Sequence, residues 1–112
     1  MFEEQLSNEK LNKILLAFRE ELSNILKERL NNIFLFGSQA RGDARPGSDI
    51  DVLIVINGNF DYSQIQDLTS LPTWKLSLEN DVVISRVFTS KEQFDTADSP
   101  FLTNVHHEAI LV

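Results

Sequence analysis

Residues 35–53 read LFGSQARGDARPGSDIDVL, and the rest of the predicted fold is arranged around this stretch. The apolar run Ile33–Phe36 leads into Gly37 and Ser38, and a second apolar run, Ile50–Ile56, follows a polar loop. Short apolar runs of this kind, bounded by turn residues, predict buried strands. The sequence therefore predicts two strands connected by a small turn, a short helix that begins at Ser38, and a loop containing a Pro-Gly dipeptide.

A long helix is predicted before this stretch. Apolar residues recur at helical spacing with charged residues between them, which predicts an amphipathic helix over roughly residues 8–30. Ser7 is the predicted N-cap, because a serine hydroxyl can accept a bond from an amide of the first turn. The pair Asn31 and Asn32 is expected to end the helix.

The second half of the chain predicts further helices and one more strand. Asp61 is placed to cap a helix that Pro72 interrupts, with a second helical piece over residues 74–78, because proline restricts the backbone and removes an amide donor. The run Val82–Phe88 predicts a third strand, and the tail predicts a short helix before an apolar end. The predicted fold class is α/β, a small mixed β-sheet with helices packed on it, in a single domain over residues 1–112.

Composition and charge restrict the classes of partner. The 112 residues carry a net charge of −7, with ten acidic and three basic residues from position 49 to the end. An acidic surface repels nucleic-acid phosphates, which argues against direct nucleic-acid binding. The absence of cysteine fits a reducing cytoplasm, and no apolar stretch approaches the ~18 residues that a membrane span needs. We therefore expect a cytoplasmic protein without a membrane partner.

Asp49 and Asp51 form an Asp-x-Asp pair at the start of the second strand. Side chains two residues apart on a strand share one face, ~6.5–7 Å apart along it, and two such carboxylates repel each other without a cation between them. Oxygen ligands suit Mg²⁺, which keeps waters that substrate phosphates can replace. Two metal ions could lower the pKa of an attacking oxygen and neutralise a leaving pyrophosphate. An Asp-x-Asp pair alone is common on protein surfaces, and without the Gly-Ser turn a solvated surface pair is the favoured interpretation.

Gly37, Ser38 and Arg41 are candidate ligands for nucleotide phosphates. Glycine permits a close backbone approach, serine offers a hydroxyl, and a guanidinium suits phosphate geometry. The Gly-Lys-Ser/Thr ending of a P-loop is absent. The alternatives are a plain strand-to-helix turn for Gly37 and Ser38, and for Arg41 an ion pair with Asp43 or Asp49.

Together these two motifs resemble the minimal nucleotidyltransferase (MNT) family of the DNA polymerase β-like superfamily. The family pattern is a strand, Gly-Ser, about ten residues, and then Asp-x-Asp within a strand; here LFGSQARG and SDIDVL match it. The resemblance implies a polymerase β palm-like core in which Ser38 contacts the nucleotide phosphates. It also implies that Asp49 and Asp51 bind Mg²⁺ and align an acceptor hydroxyl for attack on the α-phosphate of ATP.

Family enzymes use a third carboxylate on the next strand as a catalytic and metal-binding group. Asp81, just before the predicted third strand, is the candidate here, and Glu79 is the second choice. Neither lies within a clear hydrophobic-Asp-hydrophobic sequence, and a loop or helix-end acid is the alternative interpretation of Asp81.

The leading functional hypothesis is an enzyme that transfers AMP from ATP to a hydroxyl. The chain lacks the additional domains that would hold DNA or a drug, so a protein side chain is the expected acceptor. The resemblance implies an antitoxin that adenylylates a tyrosine of a partner HEPN-domain RNase toxin. Two alternatives stay open: a non-catalytic module that binds nucleotide or masks the toxin, and a small-molecule nucleotidyltransferase acting as a homo-oligomer.

Overall fold

A mixed β-sheet forms the centre of the molecule in the part of the chain that the computed structural model describes, residues 6–97 and 99–112. Its four strands are β1 (Leu30–Phe36), β2 (Ile50–Ile56), β3 (Ile84–Ser90) and β4 (Ile110–Leu111). They lie in the order β3-β2-β1-β4. β1 is antiparallel to both β2 and β4, whereas β2 and β3 are parallel.

Helices cover both faces of this sheet. Within the same residues they are α1 (Asn8–Leu26), α2 (Ser38–Arg41), α3 (Tyr62–Asn80), α4 (Lys91–Thr96) and α5 (Pro100–Glu108). α1 and α3 pack on one face, and their apolar side chains form one buried cluster with alternate residues of β1 and β2. Leu102 and Val105 of α5 pack on the other face. None of the helices in the described residues is both long enough and apolar enough to cross a membrane.

The central position of β2 explains why all of its residues except Asp51 are apolar. Val52 and Ile54 belong to the cluster under α1 and α3, whereas Leu53 and Val55 belong to the cluster under α5. Alternate side chains of a strand point to opposite faces, so a strand covered on both sides needs apolar residues throughout. The predicted α/β class, with a small mixed sheet and packed helices, is confirmed.

The first helix is shorter than predicted. α1 ends at Leu26, because Lys27 has a φ of 52° that an α-helix cannot accommodate, and a 3₁₀ turn leads from it into β1. Asn31 and Asn32 lie inside β1 rather than in a break. The Asn31 side chain donates to Asn57 Oδ1 at 3.0 Å, where β1 begins and β2 ends. This bond gives Asn31 a polar partner within the sheet.

Pro72 does not divide the third helix, contrary to the prediction. α3 runs without interruption from Tyr62 to Asn80, with Pro72 buried inside it. Hydroxyl groups bond the carbonyls around the proline: Thr69 donates to the Ile65 carbonyl at 2.8 Å and Thr73 to the Thr69 carbonyl at 2.6 Å. Burial of the helix against the core outweighs the local cost of proline.

Two of the predicted helix caps are confirmed. The Ser7 hydroxyl accepts from the Lys10 amide at 3.2 Å, and the Asp61 carboxylate accepts from the Gln64 amide at 3.3 Å. The third strand begins two residues later than predicted, because the Val82 amide donates to the Ser77 carbonyl of α3 at 3.0 Å. That bond keeps residue 82 with the helix end instead of the sheet.

Candidate active site

The two sequence motifs meet at one end of the sheet's strands. β1 ends where the antiparallel β2 begins, and Phe36 pairs with Asp51 in the ladder between them. Gly37 follows directly, so the Gly-Ser turn lies beside the start of β2. β3 begins at the same end of the sheet, where the Ile50 amide donates to the Val83 carbonyl at 2.8 Å. The topology therefore places the turn, the carboxylate pair and the start of β3 around one location.

Gly37 lies so close to the Asp51 carboxylate that a side chain at position 37 would force the carboxylate or the turn to move. Its φ of 76° and ψ of −158° belong to a region that residues with a Cβ atom rarely adopt. A Cβ atom at position 37 would also lie 2.3 Å from Asp51 Oδ2. The glycine thus serves two purposes, as it turns the chain and permits the carboxylate to approach the backbone of the turn.

Asp49 and Asp51 influence each other electrostatically. Asp49 is exposed just before β2, and Asp51 is half-buried inside it. Burial raises the pKa of Asp51 above its ordinary value, the negative charge of Asp49 raises it further, and Arg41 lowers it. A half-buried carboxylate beside a second one is an arrangement that a cation stabilises, and the oxygen donors suit Mg²⁺. These two residues therefore fit the predicted metal ion, and they would supply two of its oxygen ligands.

Arg41 is held beside the turn by two acidic side chains. Its Nε lies 3.2 Å from Asp43 Oδ2, and its Nη1 lies 3.2 Å from Glu108 Oε2. Both contacts raise the pKa of the guanidinium. The ion pair with Asp43, one of the alternatives for Arg41, is therefore present, and the ion pair with Asp49 is not among the contacts of Arg41 in the described residues.

Glu108 is a residue of this region that the sequence reasoning missed. It ends α5, and its Oε1 accepts a hydrogen bond from the Gly37 amide at 3.3 Å. The available signal was the apolar end of the chain: if Ile110 and Leu111 had been predicted to pair antiparallel with β1, Glu108 would have been placed beside Gly37. The observed pairing of Leu35 with Ile110 produces this arrangement.

Asp81, the predicted third carboxylate, is not brought together with the pair. It is exposed at the C-terminal end of α3, with a left-handed φ of 53°. It lines a groove of about 650 Å³ between α3 and β3, together with Trp74 and Arg86. Glu79 is exposed in the last turn of α3. Among residues 6–97 and 99–112, no three acidic or histidine side chains are grouped so that they could hold a metal ion.

Comparison with known proteins identifies the class to which this site belongs. The family model described as nucleotidyltransferase domain matches residues 15–105, which include the Gly-Ser turn, Asp49, Asp51 and all of β3. The chain belongs to the nucleotidyltransferase domain family. This result confirms the family and the enzyme class that were predicted from the two motifs.

Two proteins of Methanocaldococcus jannaschii, both named putative protein adenylyltransferase, are similar in sequence. One is 32% identical over 100 residues, which cover 89% of this chain and 96% of the relative. The other is 41% identical over 83 residues, which cover 74% of this chain and 77% of the relative.

Two solved structures share the fold at lower sequence identity. A crystal structure of a toxin–antitoxin with AMP-PNP superimposes with a TM-score of 0.62 and 24% identity, over 94% of this chain and 72% of the other. A mutant of the toxin–antitoxin MntA–HpeT superimposes with a TM-score of 0.55 and 21% identity, over 96% and 72% of the two chains. At these identities the likeness shows a common fold.

Proposed function

We propose that this chain is an Mg²⁺-dependent protein adenylyltransferase that moves AMP from ATP to a tyrosine hydroxyl of a HEPN-type RNase toxin and thereby acts as an antitoxin. The observation that carries the proposal is the contact between Gly37 and Asp51. It joins the turn that suits phosphates to the carboxylates that suit Mg²⁺ within one site. Nucleotidyl transfer needs both functions at the same phosphate groups.

The candidate site residues have separate roles in this reaction. Ser38 and the Gly37 turn bind the triphosphate, and Arg41 offsets its charge. Asp49 and Asp51 would hold Mg²⁺ and so orient the α-phosphate and the acceptor hydroxyl. The chemistry supplied by Mg²⁺ when bound is neutralisation of the phosphate charge and a lower pKa of the hydroxyl. The acceptor oxygen bonds to the α-phosphorus, the bond to pyrophosphate breaks, and the hydroxyl proton leaves to solvent.

A protein acceptor is supported by an exposed apolar surface on the same chain. Leu71, Trp74 and Leu78 of α3, with Val83 before β3, line the groove between these elements, and all four are exposed. Several large apolar side chains grouped at the surface are typical of a site that contacts another protein. The names of the two relatives as protein adenylyltransferases, and the toxin–antitoxin neighbours that share the fold, support the same choice of acceptor.

The test is transfer of label from α-labelled ATP. The chain, Mg²⁺ and a candidate HEPN toxin are incubated together, and the toxin is analysed for AMP on tyrosine. We expect label on the toxin, loss of label when Mg²⁺ is chelated, and a loss of roughly 10²–10³-fold or more in Asp49→Asn/Asp51→Asn, which removes the charge stabilisation of the transition state. Absence of label with the wild-type chain would contradict the enzyme.

A second candidate function is masking of the toxin without catalysis. β3 carries no acidic residue. In the enzymes of the family that the two motifs resemble, this strand supplies the third carboxylate, and here it does not. This function predicts that Asp49→Asn/Asp51→Asn still inhibits the toxin as strongly as the wild-type chain does. An inhibition that requires both aspartates and ATP would exclude it.

A further inference from the structure

We propose that Glu108 is a positioning residue for the nucleotide: it holds the Gly37–Ser38 turn against Asp51 and orients Arg41 toward the triphosphate. The proposal rests on the proposed function, in which this turn binds ATP. It makes the C-terminal segment, α5 with β4, part of the nucleotide site, although that segment lies about 70 positions away from the turn along the chain.

The two oxygen atoms of Glu108 have different partners. Oε1 accepts from the Gly37 amide at 3.3 Å, and Oε2 lies 3.2 Å from Arg41 Nη1. A single carboxylate therefore connects the backbone of the turn to the guanidinium. Hydrogen bonds to a charged group are stronger than those between neutral groups, so this bridge restricts both partners.

Glu108 is the more sheltered of the two partners of Arg41. The Glu108 side chain is 25% exposed, whereas that of Asp43 is 63% exposed. Water and salt screen an exposed ion pair more strongly, so the bridge to Glu108 contributes more than the bridge to Asp43 to the orientation of Arg41.

Gly37 lies between two carboxylates. Asp51 contacts it at the position where a Cβ atom would be, and Glu108 binds its amide. The hydrogen bond to Glu108 therefore helps to set how closely the turn approaches the metal-binding carboxylate. A displacement of the turn would change the distance between the phosphate ligands and Asp51, on which the transfer depends.

The backbone that carries Glu108 is fixed by the sheet and the core. Val105 and Leu102, on the same helix, are buried. Directly after Glu108 the chain pairs with β1, and the Val112 amide donates to the Ile33 carbonyl at 2.9 Å. This anchoring suits a residue that holds its partners in place and leaves only side-chain rotation for adjustment.

Nucleotide binding tests the proposal on the full chain. We would measure the Kd of ATP with Mg²⁺ by calorimetry, and kcat and KM in the transfer assay. Glu108→Gln keeps the shape of the side chain and removes its charge. We expect it to weaken ATP binding about tenfold, because roughly one charge-assisted hydrogen bond is lost. KM should rise, and kcat should stay within about threefold of the wild-type value. Glu92→Gln, on the exposed first turn of α4, is the charge-matched control and should bind ATP as the wild-type chain does.

A double-mutant cycle with Arg41 separates positioning from a general structural role. If Glu108 acts through Arg41, the effect of Glu108→Gln on ATP binding should shrink to about threefold or less when Arg41→Ala is already present. Glu108→Asp, which keeps the charge, should recover part of the affinity and also serves if the Gln variant folds poorly. Thermal unfolding of every variant measures the change in stability separately.

The outcomes distinguish this inference from the proposed function. Wild-type ATP binding with unchanged or tighter binding in Glu108→Gln would overturn the positioning role alone, and tighter binding would identify Glu108 as a competitor of the triphosphate. Full additivity of Glu108→Gln and Arg41→Ala would overturn the orientation of Arg41 by Glu108. Failure of the wild-type chain to bind ATP with Mg²⁺ would overturn the proposed function and this inference together.

Discussion

The backbone of Gly37 lies directly against the carboxylate of Asp51, so that a Cβ atom at position 37 would stand 2.3 Å from Oδ2. The two residues are brought together by the antiparallel pairing of β1 and β2, in which Phe36 pairs with Asp51. This strand register therefore brings the Gly-Ser motif and the Asp-x-Asp motif, which are separated along the chain, into contact in space.

Gly37→Ala is expected to reduce stability and transfer together. The positive φ costs about 1–3 kcal/mol for a residue with a Cβ atom, and the contact with Asp51 forces the carboxylate or the turn to move. A displacement of about 1 Å can lower the rate roughly 10²-fold. Urea unfolding and the transfer assay measure the two effects.

Gly58→Ala is the matched control for this change. Gly58 has nearly the same φ, 75°, but a Cβ atom there would meet nothing within 4 Å. It should therefore lose stability through backbone strain alone and keep its rate of transfer. Equal loss of activity in both variants would show that strain, and not the contact with Asp51, is responsible.

Asp51→Asn is expected to stabilise the metal-free protein at neutral pH. Burial and Asp49 raise the pKa of Asp51 in the folded state, so the folded chain binds the proton more tightly than the unfolded chain. The ionised carboxylate therefore lowers the stability above the folded pKa, and this penalty disappears as the pH falls below the unfolded value of 3.8. We expect a gain of less than about 1 kcal/mol after allowance for solvent screening.

Thermal unfolding between pH 3 and pH 8 checks this prediction, with Asp67→Asn on the exposed side of α3 as the charge-matched control. At neutral pH, Mg²⁺ should make the wild-type chain more stable than Asp51→Asn. The ion should stabilise the wild-type chain and not the variant, because it binds the folded carboxylates. A wild-type chain that gains no stability from Mg²⁺ would contradict the metal site.

Asp81→Asn tests the third carboxylate. Asp81 is exposed at the end of α3 and has a left-handed φ, which asparagine also adopts readily, so the substitution removes the charge with little change in the backbone. From this position we expect turnover to stay within about threefold of wild type, since an exposed charge outside the pair contributes little to transition-state stabilisation. A loss of roughly 10²-fold or more in kcat would instead establish Asp81 as the missing ligand.

Leu71→Asp tests the apolar surface of α3. Leu71 is 69% exposed in the groove beside Trp74, so a charge there should weaken toxin modification, expected at about tenfold or more in KM for the toxin, without changing ATP binding. Leu16→Asp, at a residue of α1 that is 60% exposed, is the matched control and should leave both unchanged. Identical behaviour of the two variants would exclude this surface as the docking site.

The parts of the fold that depend on neighbouring residues were readable from the sequence. Apart from Asp51, the run Ile50–Ile56 is apolar on both faces, which is sufficient to place it at the centre of a sheet. Ser7 and Asp61 cap helices through bonds that span three residues. The Gly-Ser and Asp-x-Asp motifs could be recognised for the same reason, because each half of the candidate site is a short local pattern.

Other features depend on contacts between residues distant in the sequence. Pro72 would end an isolated helix, but the burial of α3 against the core keeps it continuous. Glu108 reaches Gly37 because a two-residue strand pairs with β1, and the apolar residues that follow Glu108 do not by themselves specify which strand they pair with. Asp81 is close to β3 in sequence, yet the end of α3 determines where its side chain lies. Local patterns specify which elements and which chemical groups the chain contains, whereas the arrangement of the elements in the sheet specifies which of those groups meet.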